Sequence, residues 1–414
     1  MALRPRVAVA AGVFLLLGGV VVFGRWYELN HSRPSQTAEK QAVVHVTNAS
    51  DRGPGTLREA LFIAAAASGP VNISIDVPQI EVQSALPALV NGRGVKIGAA
   101  VKTRIEASAL AGGAVLDVSG PDTTLEGLTI TDCPGASVLV RATRFRLTSS
   151  NISACDVGVD VAENASQTLL EGNRFSKNRI GVRFAASGHS TSVTNNEFTD
   201  QKDAGLWAVR GAADSHDEPI AIHDNKFTEN GIGIVSGNIP VLVERNDFIN
   251  AHEADIHVVG EGAVIRGNHI NGGAAMGIVA ENARGAIIEN NELEGLSAYG
   301  VMVRGSSNTL VRANRLHNCG YGLAFVLGDT HSASTAADNT IIEPKFNGID
   351  VVGDSPILRR NQVLRPRAYA LHVEDFQPPA GGQKVHSEPF LDNNSFDKSG
   401  AGVSVTAASA PQRR

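Results

Sequence analysis

Residues 169–184 read LLEGNRFSKNRIGVRF, and the same phrase returns as IIENNELEGLSAYGVMV at 287–303 and LVRANRLHNCGYGLAF at 310–325. In general form it is apolar, x, x, Asn, x, Phe/Leu/Ile, a short turn, then Gly, Val/Ile/Leu, x, Val/Phe. Its Asn recurs at 173, 196, 225, 246, 268, 291, 314, 361 and 394, with spacings of 21 to 23 dominating and longer gaps where loops are inserted. A period of this size marks a solenoid. Apolar alternation lasts only three to five residues in each repeat, which suits short strands and not helices. With weaker matches from Leu125 and Leu147, the pattern predicts an all-β chain, a single-stranded parallel β-helix of about twelve coils.

Stacked coils put equivalent residues one strand spacing apart, about 4.8 Å, so each column of the repeat reads as a ladder. Two columns are apolar and are expected to face inward: Phe175, Phe198, Phe227, Phe248, Ile270, Leu293, Leu316 and Phe346, and then Val182, Leu206, Ile234, Ile256, Ile278, Val301 and Leu323. The asparagines would form an amide ladder that satisfies backbone groups at a turn. After each Asn the charge alternates (Arg174, Glu197, Lys226, Asp247), and it alternates again at Glu244, Arg266, Glu289 and Arg312. Neighbouring rungs of opposite sign make solvated stabilising pairs, each worth under about 1 kcal/mol. The carboxylates of these ladders are therefore poor choices for catalytic groups.

Composition agrees, since 43 glycines among 414 residues, with few aromatics, suit a chain of many short turns. A net charge of −6 and no basic stripe leave out the electrostatic footprint of nucleic-acid binding. The N-terminus differs. Arg4 and Arg6 precede Val7 to Gly24, eighteen uncharged residues closed by Arg25, Trp26 and Tyr27, with no A-x-A site after them. That pattern predicts an uncleaved signal anchor with its basic flank in the cytoplasm and the remaining chain across the membrane. The expected organisation is a cytoplasmic stub at 1–6, a transmembrane helix at 7–24, a polar linker at 25–42, an N-terminal cap at 43–70, the β-helix at 71–407 and a tail at 408–414.

VTNASDRGPGTLREAL, at 46–61, resembles the opening of right-handed parallel β-helix proteins, in which a strand, a Gly-Pro-Gly turn and a short amphipathic helix plug the open end. IEVQSALPALVNGRGVKIGA, at 80–99, and the N-x-F coils are similar to the pectate-lyase-like superfamily, in particular the carbohydrate-binding and sugar-hydrolase repeats of the NosD type. The likeness spans residues 43 to about 407 and implies a right-handed β-helix with an N-terminal cap helix. It is weak for activity, because that superfamily holds lyases, epimerases, hydrolases, adhesins and inert scaffolds. The Asp-Pro-His-Asp motif of alginate epimerases is missing after Tyr299-Gly300, and neither the calcium carboxylates of pectate lyases nor the paired aspartates of polygalacturonases have a match.

One column resists a purely structural account. The outward x of Gly-Val-x-Val reads Arg183, Trp207, Val235, His257, Val279, Met302, Ala324, Asp350, His372 and Ser404. Insertions follow this strand at 211–222, 328–338 and 376–389, so loops crowd one face, where binding and catalysis tend to concentrate. Asp350 and His372 fall one coil apart, which lets the carboxylate orient the imidazole and raise its pKa toward neutrality. In a uronate lyase or epimerase, His372 would be the base, Asp350 its orienting partner and Glu374 a neighbouring acid, but no obvious cation is at hand for the substrate carboxylate. Asp329 and His331 are placed near them. Arg183, Trp207 and His257 are candidate ligand-binding residues in the same column, and Tyr299, Tyr321 and Tyr369, each before the Gly position of that strand, are a candidate sugar platform or cover for a core corner. The DSHDE stretch at 214–218 reads as a polar loop and no metal site is assigned.

Cys133 and Cys155 each lie three residues after the inward Ile of adjacent coils, so a disulfide and a simple thiol stack both fit, and Cys319 has no evident partner. The expected function is a membrane-anchored, exported β-helix that binds a cell-surface or secreted polysaccharide or oligosaccharide along its loop-lined face. The alternatives are a polysaccharide lyase or uronate epimerase, in which calcium would join, and a non-catalytic scaffold in an envelope or export complex, docking through Val235, Val279, Met302 and Ala324. No other cofactor and no nucleic acid is expected, and the domain belongs on the periplasmic or extracellular side.

Overall fold

The computed structural model describes residues 41–186, 190–211, 218–273, 276–328, 333–378, 382–397 and 400–406. The expected span at 7–24 lies outside them; among the described residues no helix is long and apolar enough to cross a membrane.

The chain winds as a parallel β-solenoid of about thirteen turns. Three sheets run its length: a first of fifteen strands from Ala42–Val46 to Phe390–Asp392, a second of fourteen from Gln79–Glu81 to Ser395–Phe396, and a third of thirteen from Ala114–Val118 to Gly402–Thr406. One turn shows the plan. Arg146–Thr148 lies in the first sheet, Asn151–Ser153 in the second and Val157–Val161 in the third, and the next turn re-enters the first sheet at Leu169–Glu171 in register with Arg146. Helix α1 (Leu57–Ala66) is capped by Thr56, whose hydroxyl accepts from the Glu59 backbone, and buries Leu57, Ala60, Leu61 and Ala64 at the N-terminal end of the stack.

The corner between the first and second sheets explains the recurring Asn. The residue before it is left-handed in every coil, as at Gly172 (φ 65°), Asn195 (φ 54°), Arg245 (φ 52°) and Ala313 (φ 53°). That single residue turns the chain and points the following Asn inward. Asn246 is typical: its amide donates to Ile222 O at 2.9 Å, Glu244 O at 3.2 Å and Asn268 Oδ1 at 3.1 Å, and its own Oδ1 accepts from the Asn225 backbone at 2.9 Å. The ladder also includes Asn339, which the sequence pattern passed over, between Asn314 and Asn361. Here the expectation needs correction. The inward residue of this coil is Ile341, paired with Leu316, and Phe346 is 49% exposed. Phe175, Phe198, Phe227 and Phe248 do stack inside, with ring centroids 4.8 to 4.9 Å apart.

The corner between the second and third sheets holds another buried amide ladder. Asn178 accepts from the Cys155 backbone, Gln201 from Asn178 and Asn230 from Gln201, each at 3.0 Å. Cys133 and Cys155 occupy the two rungs of this column before Asn178. Their Cα atoms are 4.2 Å apart and their sulfurs are within bonding contact. Cys319 is buried further along, and burial pushes its thiol up to about 11. Alkylation in denaturant without reductant is therefore expected to label one cysteine per chain by mass, Cys319; three labels would show the thiol stack instead.

The charged ladders form across coils as expected: Arg174 meets Glu197 at 3.0 Å, Arg266 meets Glu244 at 3.2 Å and Arg312 meets Glu289 at 2.6 Å. Further pairs at the first corner, Arg144 with Asp122, Arg245 with Asp224 and Arg360 with Asp338, hold those carboxyls below their usual value chiefly through the hydrogen bonds the guanidinium donates.

Candidate functional site on the third sheet

The strand entering the third sheet has an irregular start that aims side chains outward in a defined way. A Cβ on Gly205 would meet the Phe227 ring at 2.7 Å, and one on Gly300 would meet Leu316 at 2.4 Å, so this position faces the core. The following residue, Leu206 or Val301, is also buried inside. The residue before the glycine and the one two after it therefore both lie on the outer side of the sheet. Tyr299 and Met302 are partly exposed there, as are Tyr321, Tyr369 and His372.

The outward column pairs rung by rung as read from the sequence, from Arg183 and Trp207 through Ala324, Asp350, His372 and Ser404. Its first half is engaged in local pairs. Arg183 donates to Asp160 at 2.8 Å, Trp207 is half-buried beside it, and His257 Nε2 lies 3.2 Å from Glu281, which also meets Arg304 at 3.5 Å. The apolar strip is not a docking surface: Val235 and Ala324 are buried, Val279 is 2% exposed and only Met302 is partly open.

The second half gathers the remaining candidates. Asp350 Oδ1 lies 2.8 Å from His372 Nδ1 and accepts from the Asn347 amide at 2.9 Å. The far nitrogen of His372 lies 4.0 Å from Glu374, and the His372 ring stacks on Tyr369 at 5.7 Å. Tyr299 and Tyr321 stack face to face at 4.7 Å, so they cover each other and present ring edges, where a sugar platform would need faces. Burial first, then Tyr321 and the Asp350 charge, holds the Tyr299 phenol above its usual value, as a neutral donor. Phe346 continues the row 5.1 Å from Tyr321 and tilted by 31°.

Beyond Phe346 the aromatic row is interrupted. The tyrosine position of Phe346's own coil is Asn347, and among the described residues no ring stack joins Phe346 to Tyr369 on the next coil. On these two coils Phe346 is exposed, Asn347 and Asp350 are buried and hydrogen-bonded to each other, and the Tyr369–His372 stack follows on the next strand. Arg367, exposed and two residues before Tyr369, has no ion-pair or hydrogen-bond partner for its guanidinium among the described residues, whereas Lys345 one coil earlier is tied to the carbonyls of Leu296 and Gly295. Asn347 and Arg367 were not picked out from the sequence, and Phe346 was expected in the core and not at the surface. Asp329 and His331, with Asp214, His216 and Asp217 of the DSHDE stretch, lie outside the described residues.

A loop borders this region. Phe376 and Val385 close it by mutual backbone hydrogen bonds of 2.9 Å, and Asp375 anchors it through Ser387 N at 2.8 Å, Lys384 at 2.9 Å and His386 at 3.1 Å. Ser387 also accepts from Gly353 N at 2.7 Å, which ties the loop to the turn after the Asp350 strand. A separate concavity beside α1, lined by Ala49–Arg52, Gln79, Glu81 and Gln83, carries less chemistry, because its Asp51 is consumed by Arg58 at 2.8 Å.

Family models match most of the solenoid: "Right handed beta helix region" over residues 212–363, and "Periplasmic copper-binding protein (NosD)" over 88–208 and 120–261. The chain is a right-handed β-helix protein. Solved structures with the same fold include the A-module of mannuronan C-5 epimerase AlgE6 from Azotobacter vinelandii, 14% identical over 85% of this chain and 98% of that one, with a TM-score of 0.50. The surface adhesin PfbA of Streptococcus pneumoniae is 11% identical over 86% and 100%, with a TM-score of 0.51. The catalytic unit of a GH87 α-1,3-glucanase from Streptomyces thermodiastaticus strain HF3-3 is 12% identical over 88% and 69%, with a TM-score of 0.50. No curated protein matches the sequence. These likenesses establish the β-helix and leave its activity to its own residues. Among the described residues, no group of three or more His, Cys, Asp or Glu side chains is placed to hold a metal ion, so the copper of the NosD description finds no fit there.

Proposed function

We propose that this β-helix binds a polysaccharide across its third sheet, with the break between Phe346 and Tyr369 as the principal subsite. The observation that carries the reading is that the exposed ring of Phe346 and the Asp350–His372 pair, held by Asn347, lie on adjacent coils, with Arg367, whose guanidinium has no partner among the described residues, on the turn that leads into the Tyr369 strand. A pyranose has apolar C–H faces and a rim of hydroxyls. The first pack on aromatic carbon, and the second pair with carboxylate, amide and guanidinium groups. Asp350 is held in place by Asn347 and His372, so it accepts from a hydroxyl without first losing side-chain freedom. Similar folds named as a mannuronan epimerase and an α-1,3-glucanase support this class of ligand. We place the domain in the periplasm or outside the cell, with residues 7–24 as its membrane anchor, residues 25–42 as a tether and α1 closing the N-terminal end of the solenoid.

A catalytic reading rests on the same pair. Asp350 fixes His372 through Nδ1, which leaves Nε2 to take a proton from a bound sugar, and Arg367 supplies the cation that a uronate carboxylate needs. Calorimetric titration of the full chain with oligosaccharides tests the binding reading. Phe346→Ala and Asp350→Asn are each expected to weaken affinity about tenfold, or about 1.4 kcal/mol. Undiminished affinity in both variants would remove this subsite.

A further inference from the structure

Apolar side chains on the surface of this β-helix are unevenly placed. Of eight large hydrophobic residues exposed among the described residues, five lie between positions 43 and 101: Val43, Phe62, Ile63, Val90 and Val101. Phe62, at 60% exposure, and Ile63, at 46%, are consecutive on α1 and sit opposite the face that buries Leu57, Ala60, Leu61 and Ala64. Val90 belongs to the same end of the stack, since its neighbour Asn91 donates to Ala64 O in the last turn of the helix at 2.8 Å and to Gly69 O just beyond it at 3.2 Å. An end helix that only shielded the first coil would carry polar residues on its outer side.

We infer that this apolar end is a docking surface for a lipid bilayer. This rests on the anchor reading given above, and the sequence supplies the reason for choosing lipid over protein. The eighteen uncharged residues 7–24 are joined through residues 25–41 to Ala42, the first residue of the first strand, so the chain enters the β-helix at the end that carries Phe62 and Ile63. Exposed Arg52, Arg93 and Lys102 lie in the same part of the sequence and suit anionic headgroups. Phenylalanine and isoleucine side chains of a helix lying in the interface insert to the headgroup boundary while its polar side stays wet. Docked in this way, the end helix would hold the third sheet at a fixed attitude to the membrane surface.

The test uses the full chain in vesicles of phosphatidylcholine and phosphatidylglycerol that carry bromine high on the acyl chains. The natural tryptophans, Trp26 and Trp207, set the baseline, and Phe62→Trp adds one at the proposed contact. At least half of the added emission is expected to be quenched. Quenching of Trp26 without quenching of the added indole would overturn the docking and leave the anchor standing. Added emission that is blue-shifted but unquenched would mean burial against a second copy, and would also overturn it. No quenching in either protein would overturn the anchor and the docking together.

Discussion

Asn246→Ala is expected to cost about 3–5 kcal/mol, more than loss of any surface ion pair in this β-helix. The amide lies in the middle of the ladder with no exposed surface and takes part in five hydrogen bonds. Alanine strands the Asn225 backbone N–H in a dry corner and takes a partner from the Asn225 and Asn268 amides, and each buried unpaired group costs about 1–3 kcal/mol. A solenoid couples only neighbouring turns, so the loss falls on the junction between the coils on either side. Urea unfolding should show a lower midpoint together with a broader transition. A cost below about 1 kcal/mol would mean that water replaces the amide, and the ladder would not be the spine of the solenoid. Arg174→Ala, which removes only the exposed pair with Glu197, is the control and should change stability by less than about 1 kcal/mol.

The second large effect has the opposite sign. Asp255 occupies the position that glycine holds in the coils before and after it, Gly205, Gly233, Gly277 and Gly300 among them, and is 1% exposed. Neither carboxyl oxygen has a hydrogen-bond partner. The sequence tolerates it because the phenylalanine stack ends beside it: Phe248 is followed in the column by the smaller Ile270, which leaves space that a ring fills in earlier coils. Burial drives its pKa well above the usual aspartate value, opposed by a contact from the Ala251 backbone. A carboxyl whose folded pKa is raised binds its proton more tightly in the folded state. Stability from this group is therefore complete below about pH 4, the unfolded value, and is lost as pH rises toward the folded pKa.

Asp255→Asn should match the natural protein near pH 4 and exceed it by about 1–3 kcal/mol at pH 8. The difference between the two proteins isolates the group, because Asp122, Asp224 and Asp338, whose pKa values are lowered, lose stability in the other direction, as pH falls, and do so equally in both. Parallel stability curves from about pH 4 to 8 would show that Asp255 is solvated or paired in solution.

These two residues mark how far the sequence could be read. Asn246 was legible because it repeats, and the coil length then placed Asp350 against His372 with no further information. Asn339 was hidden because the insertion at 328–338 runs directly into it, and Phe346 stood in for the coil's true inward residue, Ile341. The second corner ladder was hidden for a different reason. Its column passes through Cys, Asn, Gln, Ala, Gly and Leu, so the amide is kept over only three coils, and Gln201 and Asn230 continue Asn178 without repeating one letter. Arg367 was invisible because arginines look alike in sequence, and only the cross-coil register shows that Arg144, Arg245 and Arg360 are consumed while Arg367 has no partner among the described residues. Phe346 and Asn347 needed the aromatic row to be seen from outside, where the stacking stops between Phe346 and Tyr369.

The central claim is that the break in that row is where a polysaccharide lies. Its most direct test is proton NMR of neutral and uronate polysaccharides mixed with the full-length protein, with and without calcium, comparing the natural chain with Phe346→Ala. The account predicts that one polymer class broadens with the natural chain and sharpens again with the variant, while new unsaturated or epimerised signals would add catalysis at His372. Sharp, unchanged spectra for every polymer with the natural chain would contradict it.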